Sequence, residues 1–189
     1  MNTDRLMDNI IEQIKEAQLK LGFAKESIRL YYPAGSLCRL LQVECRNAEE
    51  LCGILKHEKY FEDTELGTLC FAISGGRIEV CVSPQGVDHV HEHVPDPPFL
   101  AGLIQLFQDR HALSIEEIRG YFAGANGSYV CEKMEPGQDF DYVLYFPNGE
   151  PDAWFYCIRM EMGHTIYHRF SEDDYRNMIQ VTVRNTTGF

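Results

Sequence analysis

The hydrophobic pattern of the last third of the chain places the strongest constraint on its fold. Four segments rich in Tyr, Val, Phe and Ile follow one another between short turns, at residues 129–134, 141–146, 153–160 and 165–170. These residue types favour β-strands, and turns this short connect neighbouring strands of an antiparallel sheet. The pattern therefore predicts a four-stranded β-meander. A closing helix is predicted to follow, because Ser171 is a suitable N-cap and acids occupy the first turn after it.

Upstream of these strands, the sequence changes between helical and strand-like periods. Helices are predicted over residues 3–21, 25–42 with a break at Pro33 and a cap at Ser36, 47–59, 99–109 and 115–122. Residues 68–73 and 77–82 flank Ser74-Gly75-Gly76, which predicts an earlier β-hairpin. The meander, the hairpin and the N-terminal, middle and C-terminal helices together predict an α+β fold. Because no linker, repeat or low-complexity segment interrupts residues 1–189, we predict a single domain.

The histidines are unevenly distributed, and their clustering is the clearest hint of chemistry. Two short runs, residues 88–93 and 161–168, contain His89, His91, His93, His164 and His168. Imidazole is the commonest protein ligand for metals and titrates near neutral pH, so such runs suggest a metal site or an acid–base site. A solvated polar surface is the alternative interpretation.

The geometry of the first run depends on its secondary structure. In a strand, alternate residues share a face, so His89, His91 and His93 could chelate one ion together. In a helical turn, His89 and His93 pair at i, i+4 and still need another ligand. Prolines on both sides of the run favour a short helix between loops.

The second run is predicted to lie on a strand that starts at the turn around Gly163. His164 and His168 then share one side with Ile166, and Glu161 across the turn is a candidate partner for an imidazole. If both runs converged, they could hold Zn²⁺ or a similar ion with an open position for water. Neither run completes the H-E-x-x-H spacing of metalloproteases, so no cofactor is predicted and a divalent metal is kept as the alternative.

Other catalytic patterns are weak. The sequence has no G-x-S-x-G elbow and no glycine-rich loop that opens a helix. Five acids near the predicted strand ends could offer a carboxylate pair, although solvated turn positions are the favoured interpretation: Asp139, Asp141, Glu150, Asp152 and Glu161. The seven cysteines form no C-x-x-C pair and mostly neighbour Leu, Val or Phe, which predicts reduced, small core residues.

The charge balance restricts the possible partners. Asp and Glu number 29 against 17 Lys and Arg, a formal net charge of −12. This excess argues against a protein that binds nucleic acid through its phosphates or docks on an anionic membrane. The chain starts without the apolar segment of a secretory signal, and no apolar stretch reaches the roughly 20 residues that span a bilayer. A soluble, cytoplasmic protein is therefore predicted.

Aromatic residues are concentrated in the predicted meander. They occupy both faces of its strands: Tyr142, Tyr145, Phe146, Trp154, Phe155, Tyr156, Tyr167 and Phe170. Either helices cover both faces, which is the favoured alternative, or one face presents its rings to a ligand or a second subunit. The second alternative would allow a homo-oligomer to form through the aromatic sheet face.

Several phrases of the sequence resemble a bacterial family known only as a domain of unknown function. Residues 163–175, Gly-His-Thr-Ile-Tyr-His-Arg-Phe-Ser-Glu-Asp-Asp-Tyr, carry most of the resemblance, and residues 90–93, 131–134 and 140–143 extend it. The resemblance implies a small cytosolic protein and transfers no activity, cofactor or catalytic residue.

Two functional hypotheses follow from the sequence. The leading one is a non-enzymatic binding or protein-interaction module, favoured by the abundant aromatic residues and by the lack of a complete catalytic spacing. The alternative is a metal-dependent or histidine-based enzyme of hydrolase type that uses both histidine runs.

Overall fold

The computed structural model describes residues 1–110 and 112–186, with side chains described through residue 179. Contacts divide the chain into two compact units, Met1–Asp96 and Pro97–Phe189. Each unit combines helices with an antiparallel sheet, so the predicted α+β fold is confirmed. The single domain over residues 1–189 stays a prediction. None of the helices in the described ranges has the length and apolar character that crossing a membrane requires.

The first unit packs helices against a small sheet. In chain order it contains α1 (Thr3–Leu21), β1 (Ile28–Tyr32), α2 (Ala34–Leu41), α3 (Ala48–His57), a 3-10 helix (Lys59–Glu62), β2 (Cys70–Ser74), β3 (Arg77–Val82) and α4 (Pro84–His93). The strands pair antiparallel in the order β1-β3-β2. Ile78, Val80 and Val82 alternate along β3 and share one buried core with the apolar side of α1. The predicted first helix and hairpin are therefore confirmed.

The prediction of a helical region over residues 25–42 is wrong in its first part. Residues Ile28–Tyr32 form β1, which pairs with β3 along its whole length. Its branched and aromatic side chains alternate between half-buried and exposed positions, a pattern typical of a strand at a sheet edge. Ser36 lies inside α2 and does not cap it, because this helix starts directly after Pro33.

The second unit is built around the predicted meander. In chain order it contains α5 (Pro98–Asp109), α6 (Ile115–Ala123), β4 (Val130–Lys133), β5 (Tyr142–Tyr145), β6 (Phe155–Glu161), β7 (His164–Phe170) and α7 (Glu172–Thr186). The strands pair antiparallel in the order β4-β5-β6-β7. The four predicted strands and the closing helix are thus confirmed.

Both faces of the meander are covered in its middle. Tyr156, Cys157 and Ile158 of β6 are each fully buried, although consecutive residues of a strand point to opposite faces. Rings from α5 and α6 contact Tyr156, and Tyr175 of α7 stacks on Phe155. The covered core is therefore confirmed for the middle of the sheet. A homo-oligomer through the aromatic face stays a prediction.

The start of α6 carries a capping box that makes a pH-dependent contribution to stability. The Ser114 hydroxyl accepts from the Glu117 N–H at 3.2 Å, and the Glu117 carboxylate accepts from the Ser114 N–H at 2.9 Å. The hydrogen bond from the Ser114 backbone N–H is the main cause that holds the pKa of Glu117 below its usual value. The Ser114 hydroxyl and the nearby Arg110 lower this pKa further. Because the pKa of Glu117 is lower in the folded state, its carboxylate stabilises the fold at pH values above the unfolded-state pKa. This contribution is lost as the pH falls through the folded-state pKa.

Glu117→Gln is therefore expected to lower the thermal unfolding midpoint at about pH 7, and the deficit should be smaller at about pH 3, because protonation of the Glu117 carboxylate removes the charge that distinguishes it from Gln. Gln keeps an acceptor for the cap but carries no charge. Circular dichroism melts at several pH values measure the difference. Glu116→Gln, at an exposed position of the same turn, is the control and should show a smaller deficit. An equal deficit for Glu117→Gln at both pH values would contradict the role of its charge.

Candidate functional site

The first histidine run lies on α4, as the helical alternative predicts. Ser83 caps this helix, and Val87 and Val90 are buried in the core of the first unit. The rings of His89 and His93, one turn apart, stack with their centroids 4.5 Å apart. The predicted i, i+4 pair is confirmed, and the strand alternative for this run is wrong.

The imidazoles of this run make different contacts and do not form one group. His89 Nε2 lies 3.8 Å from Glu65 Oε2, and the His93 Nδ1–H donates to the His89 carbonyl at 3.1 Å. His91 stacks on Phe23 with the ring centroids 3.9 Å apart. Because residues two apart lie on different sides of a helix, α4 separates His91 from the His89–His93 pair.

The second histidine run lies on β7, the strand at one end of the meander order. His164 and His168 are exposed and share a face with Ile166, which is also exposed. Glu161 lies opposite His164 in the strand register, and its Oε2 accepts from Arg159 Nη2 at 2.7 Å. These two imidazoles thus lie on an open strand face, and the acid nearest in register is engaged by an arginine.

A metal site gains no support from side-chain placement in the part of the chain that the structure describes. No group of three or more His, Cys, Asp or Glu side chains is arranged there to hold an ion. The two runs belong to different compact units. A centre that unites His89, His91 and His93 with His164 and His168 around Zn²⁺ or a similar ion stays a prediction.

A buried polar cluster, which we call the Asp152 network, consists of Asp152, Trp154, Tyr156 and Arg169. Asp152 Oδ1 accepts from the Trp154 N–H at 2.8 Å, and Oδ2 accepts from the Tyr156 hydroxyl at 3.0 Å. Arg169 Nη2 lies 3.7 Å from Oδ2, and the two charged side chains are only 4% and 7% exposed. The guanidinium carbon lies 4.5 Å from the Trp154 ring centroid. Burial raises the pKa of Tyr156, which keeps its hydroxyl protonated as a donor.

The interpretation of Asp152 as a solvated turn acid is wrong. The signal for its burial lies in β7, where Arg169 shares a face with Thr165 and Tyr167. Thr165 on this face is buried and donates to the Leu113 carbonyl at 2.7 Å. An arginine on an inward-facing row requires a buried acidic or carbonyl partner, and Asp152 provides it.

A concave space of about 530 Å³, which we call the α5–α6 cleft, lies in the second unit. Its walls are the start of α5, the end of α6 and two loops, and its lining residues are Pro98, Phe99, Gly120, Tyr121, Gly124, Ala125, Asn126 and Pro151. None of these residues is charged, so the cleft presents apolar and aromatic surface beside the Asn126 amide. It was not predicted from the sequence, because prolines, glycines and alanines in loops carry no distinctive signal.

The walls of the cleft are held by packing within the unit. The Tyr121 hydroxyl donates to the Phe99 carbonyl at 2.7 Å and ties α6 to α5. Burial raises the pKa of this hydroxyl, so it stays a donor near neutral pH. The Phe99 ring packs against Phe122, Phe146 and Tyr156, with centroids 4.9, 5.1 and 5.8 Å away. Tyr156 connects this aromatic cluster to the Asp152 network.

Comparison with known protein families identifies the family of this chain. A family model described as "Domain of unknown function, E. rectale Gene description (DUF3877)" matches residues 3–179. The chain belongs to the DUF3877 family. The match spans both compact units and confirms the resemblance noted at residues 163–175. No curated protein and no solved structure matches the DUF3877 chain.

The DUF3877 chain has another, smaller cavity in its first unit. This cavity of about 270 Å³ is bordered by α3, the 3-10 helix and β2. Lys56, Glu58 and Glu62 share its lining with Phe61 and Phe71. Its volume lies just below the roughly 300–1,000 Å³ typical of small-molecule sites. The α5–α6 cleft is therefore the stronger candidate site.

Proposed function

We propose that this protein is a non-enzymatic binding module whose ligand occupies the α5–α6 cleft. One observation carries the proposal: a concave space of about 530 Å³ whose described lining residues are all uncharged. Small-molecule sites typically enclose about 300–1,000 Å³ and are mainly apolar with a few polar groups. The cleft meets both criteria.

The lining indicates an uncharged, largely apolar ligand that carries a ring. Phe99 and Tyr121 offer aromatic surface, and Pro98 and Pro151 offer rigid apolar surface. A charged ligand would lose hydration without gaining an ionic partner from these residues. The Asn126 side-chain amide supplies an NH2 group that donates and a carbonyl oxygen that accepts, which can orient a polar group of the ligand.

The supporting structure favours binding without large rearrangement. Tyr121 is fixed by its bond to the Phe99 carbonyl, and Phe99 is fixed by the aromatic cluster behind it. Walls that are already ordered lose little conformational entropy when a ligand binds. Among the lining residues that the structure describes there is no His, Cys, Asp, Glu or Lys that could serve as a general base or nucleophile, which supports binding over catalysis.

Indole, an uncharged aromatic probe, is expected to bind in the cleft. In an NMR titration of isotope-labelled protein, the amides of Phe99, Tyr121 and Ala125 should shift most. Ala125→Trp fills the cleft and should weaken indole binding at least about tenfold, or about 1.4 kcal/mol.

Ala123→Trp is the matched control, because Ala123 is exposed near the end of α6 and does not line the cleft. It should leave the indole affinity unchanged. Equal affinity in Ala125→Trp and wild type, or shifts centred on other residues, would refute the proposal.

A further inference from the structure

Two cysteines face each other across the hairpin of the first unit. Cys70 of β2 and Cys81 of β3 are direct partners in the antiparallel register. The register is fixed by the two-residue turn at Gly75 and Gly76, where both residues have positive φ, 56° and 76°. A slip of this register would move Val80 and its neighbours out of the core, so the cysteine pairing is fixed as firmly as the core itself.

The spacing of such a pair suits a disulfide. Directly opposite residues of antiparallel strands have Cα atoms about 4.5–5.5 Å apart. Disulfides span Cα separations of about 4.4–6.8 Å. Because paired residues also point to the same face of the sheet, the two Cβ atoms approach each other. Bond formation therefore requires side-chain rotation and no displacement of the strands.

The pair lies on the outer face of the sheet. Cys70 is exposed and Cys81 is half-buried, while their neighbours Phe71, Val80 and Val82 are buried on the inner face. A soluble oxidant can therefore reach Cys70 without unfolding the unit. This position contradicts the expectation that the cysteines are mostly core residues, which holds for Cys52 and Cys157.

We propose that Cys70 and Cys81 form a redox site that interconverts between a dithiol and an intramolecular disulfide. A low-molecular-weight disulfide, such as glutathione disulfide, is the oxidant. The thiolate of one cysteine attacks it, forms a mixed disulfide and releases one small thiol. The second cysteine attacks the protein sulfur of that mixed disulfide and releases the other small thiol. The protein loses two protons and two electrons, and the oxidant gains both.

Other thiols are less suited to this exchange. Cys52 and Cys157 are buried, and burial raises the pKa of Cys157 to about 12. Cys45 neighbours Cys38, but burial and that neighbour raise the pKa of Cys45. A raised pKa leaves less of the reactive thiolate. In a reducing compartment, an exposed cross-strand pair would rest as the dithiol and oxidise transiently.

The test is oxidation of the full, reduced chain with glutathione disulfide, followed by thiol blocking and tryptic mapping without reductant. Arg77 lies between the two cysteines, so trypsin yields residues 60–77 with Cys70 and residues 78–110 with Cys81. The expected product is these two peptides joined, with the titratable thiols falling by two from the original seven. Dithiothreitol should restore both thiols.

Single variants separate this pair from the rest. Cys70→Ser and Cys81→Ser should each abolish the joined peptide. Cys131→Ser removes another half-buried thiol, whose register partner is Leu144, and should leave the product unchanged. Oxidation that joins other cysteines, stops at a glutathione adduct on Cys70, or leaves all seven thiols intact would overturn the proposal.

Discussion

Asp152→Ala is expected to destabilise the protein by about 3–5 kcal/mol, because it removes the carboxylate beside a buried guanidinium. The Arg169 side chain is 4% exposed, and its Nη2 lies 3.7 Å from Asp152 Oδ2. The Tyr156 hydroxyl and the Trp154 N–H also lose their acceptor, and each buried polar group without a partner adds to the cost. Urea unfolding measured by circular dichroism gives the change in free energy.

Two further variants show whether the buried charge is the cause. Asp139→Ala removes an exposed acid of the same unit and should change stability by no more than about 0.5 kcal/mol. Adding Arg169→Met to Asp152→Ala replaces the charged partner by an apolar one and should recover part of the loss. If Asp152→Ala were as mild as Asp139→Ala, the Asp152 network would not stabilise the fold.

Gly86→Ala is expected to destabilise the first unit by about 1–3 kcal/mol or more, because the new methyl group has no room. A Cβ at Gly86 would lie 2.4 Å from the Leu66 carbonyl oxygen and 2.8 Å from Val82 Cγ1. The first neighbour is backbone, so relief requires α4 to move away from the segment before β2. Urea unfolding again measures the effect.

Gly53→Ala is the matched control, since Gly53 also lies inside a helix and a Cβ there meets nothing within 4 Å. It should stabilise the protein by about 0.5–1 kcal/mol, because alanine restricts the unfolded chain and favours a helix. Opposite signs for the two substitutions would show that contact with Leu66, and not helix propensity, determines the result at Gly86. Destabilisation of similar size at both positions would contradict this interpretation.

The sequence correctly predicted those helices and strands that are determined by residues close to one another in the chain. The meander, the hairpin and α6 follow from period-two alternation, short turns and a capping residue, all contained in a few neighbouring residues. Residues Ile28–Tyr32 were misassigned because so short a segment between helical stretches becomes a strand only by pairing with β3, which is distant in sequence. Tertiary pairing overrides weak local preference in such cases.

The candidate sites show the same division between local and distant causes. The stacking of His89 on His93 follows from helical spacing and was predictable once α4 was assigned. The burial of Asp152, in the loop before β6, depends on Arg169 of β7, and the α5–α6 cleft collects residues from three separate stretches. Neither arrangement leaves a contiguous motif: the inward-facing row of β7 signals that Arg169 needs a buried partner but does not identify Asp152, and the cleft has no signal in one sequence.

The burial of both faces of β6 restricts which substitutions the DUF3877 family can accept in this strand. In β3, outward positions such as Glu79 lie away from the core, so lineages can replace every second residue while the inner row is kept. At residues 156–158 of β6, each neighbour in sequence is enclosed, and no such alternation is available. In relatives, substitutions should therefore fall on every second residue along β3. In β6 they should be rare at all three consecutive residues 156–158.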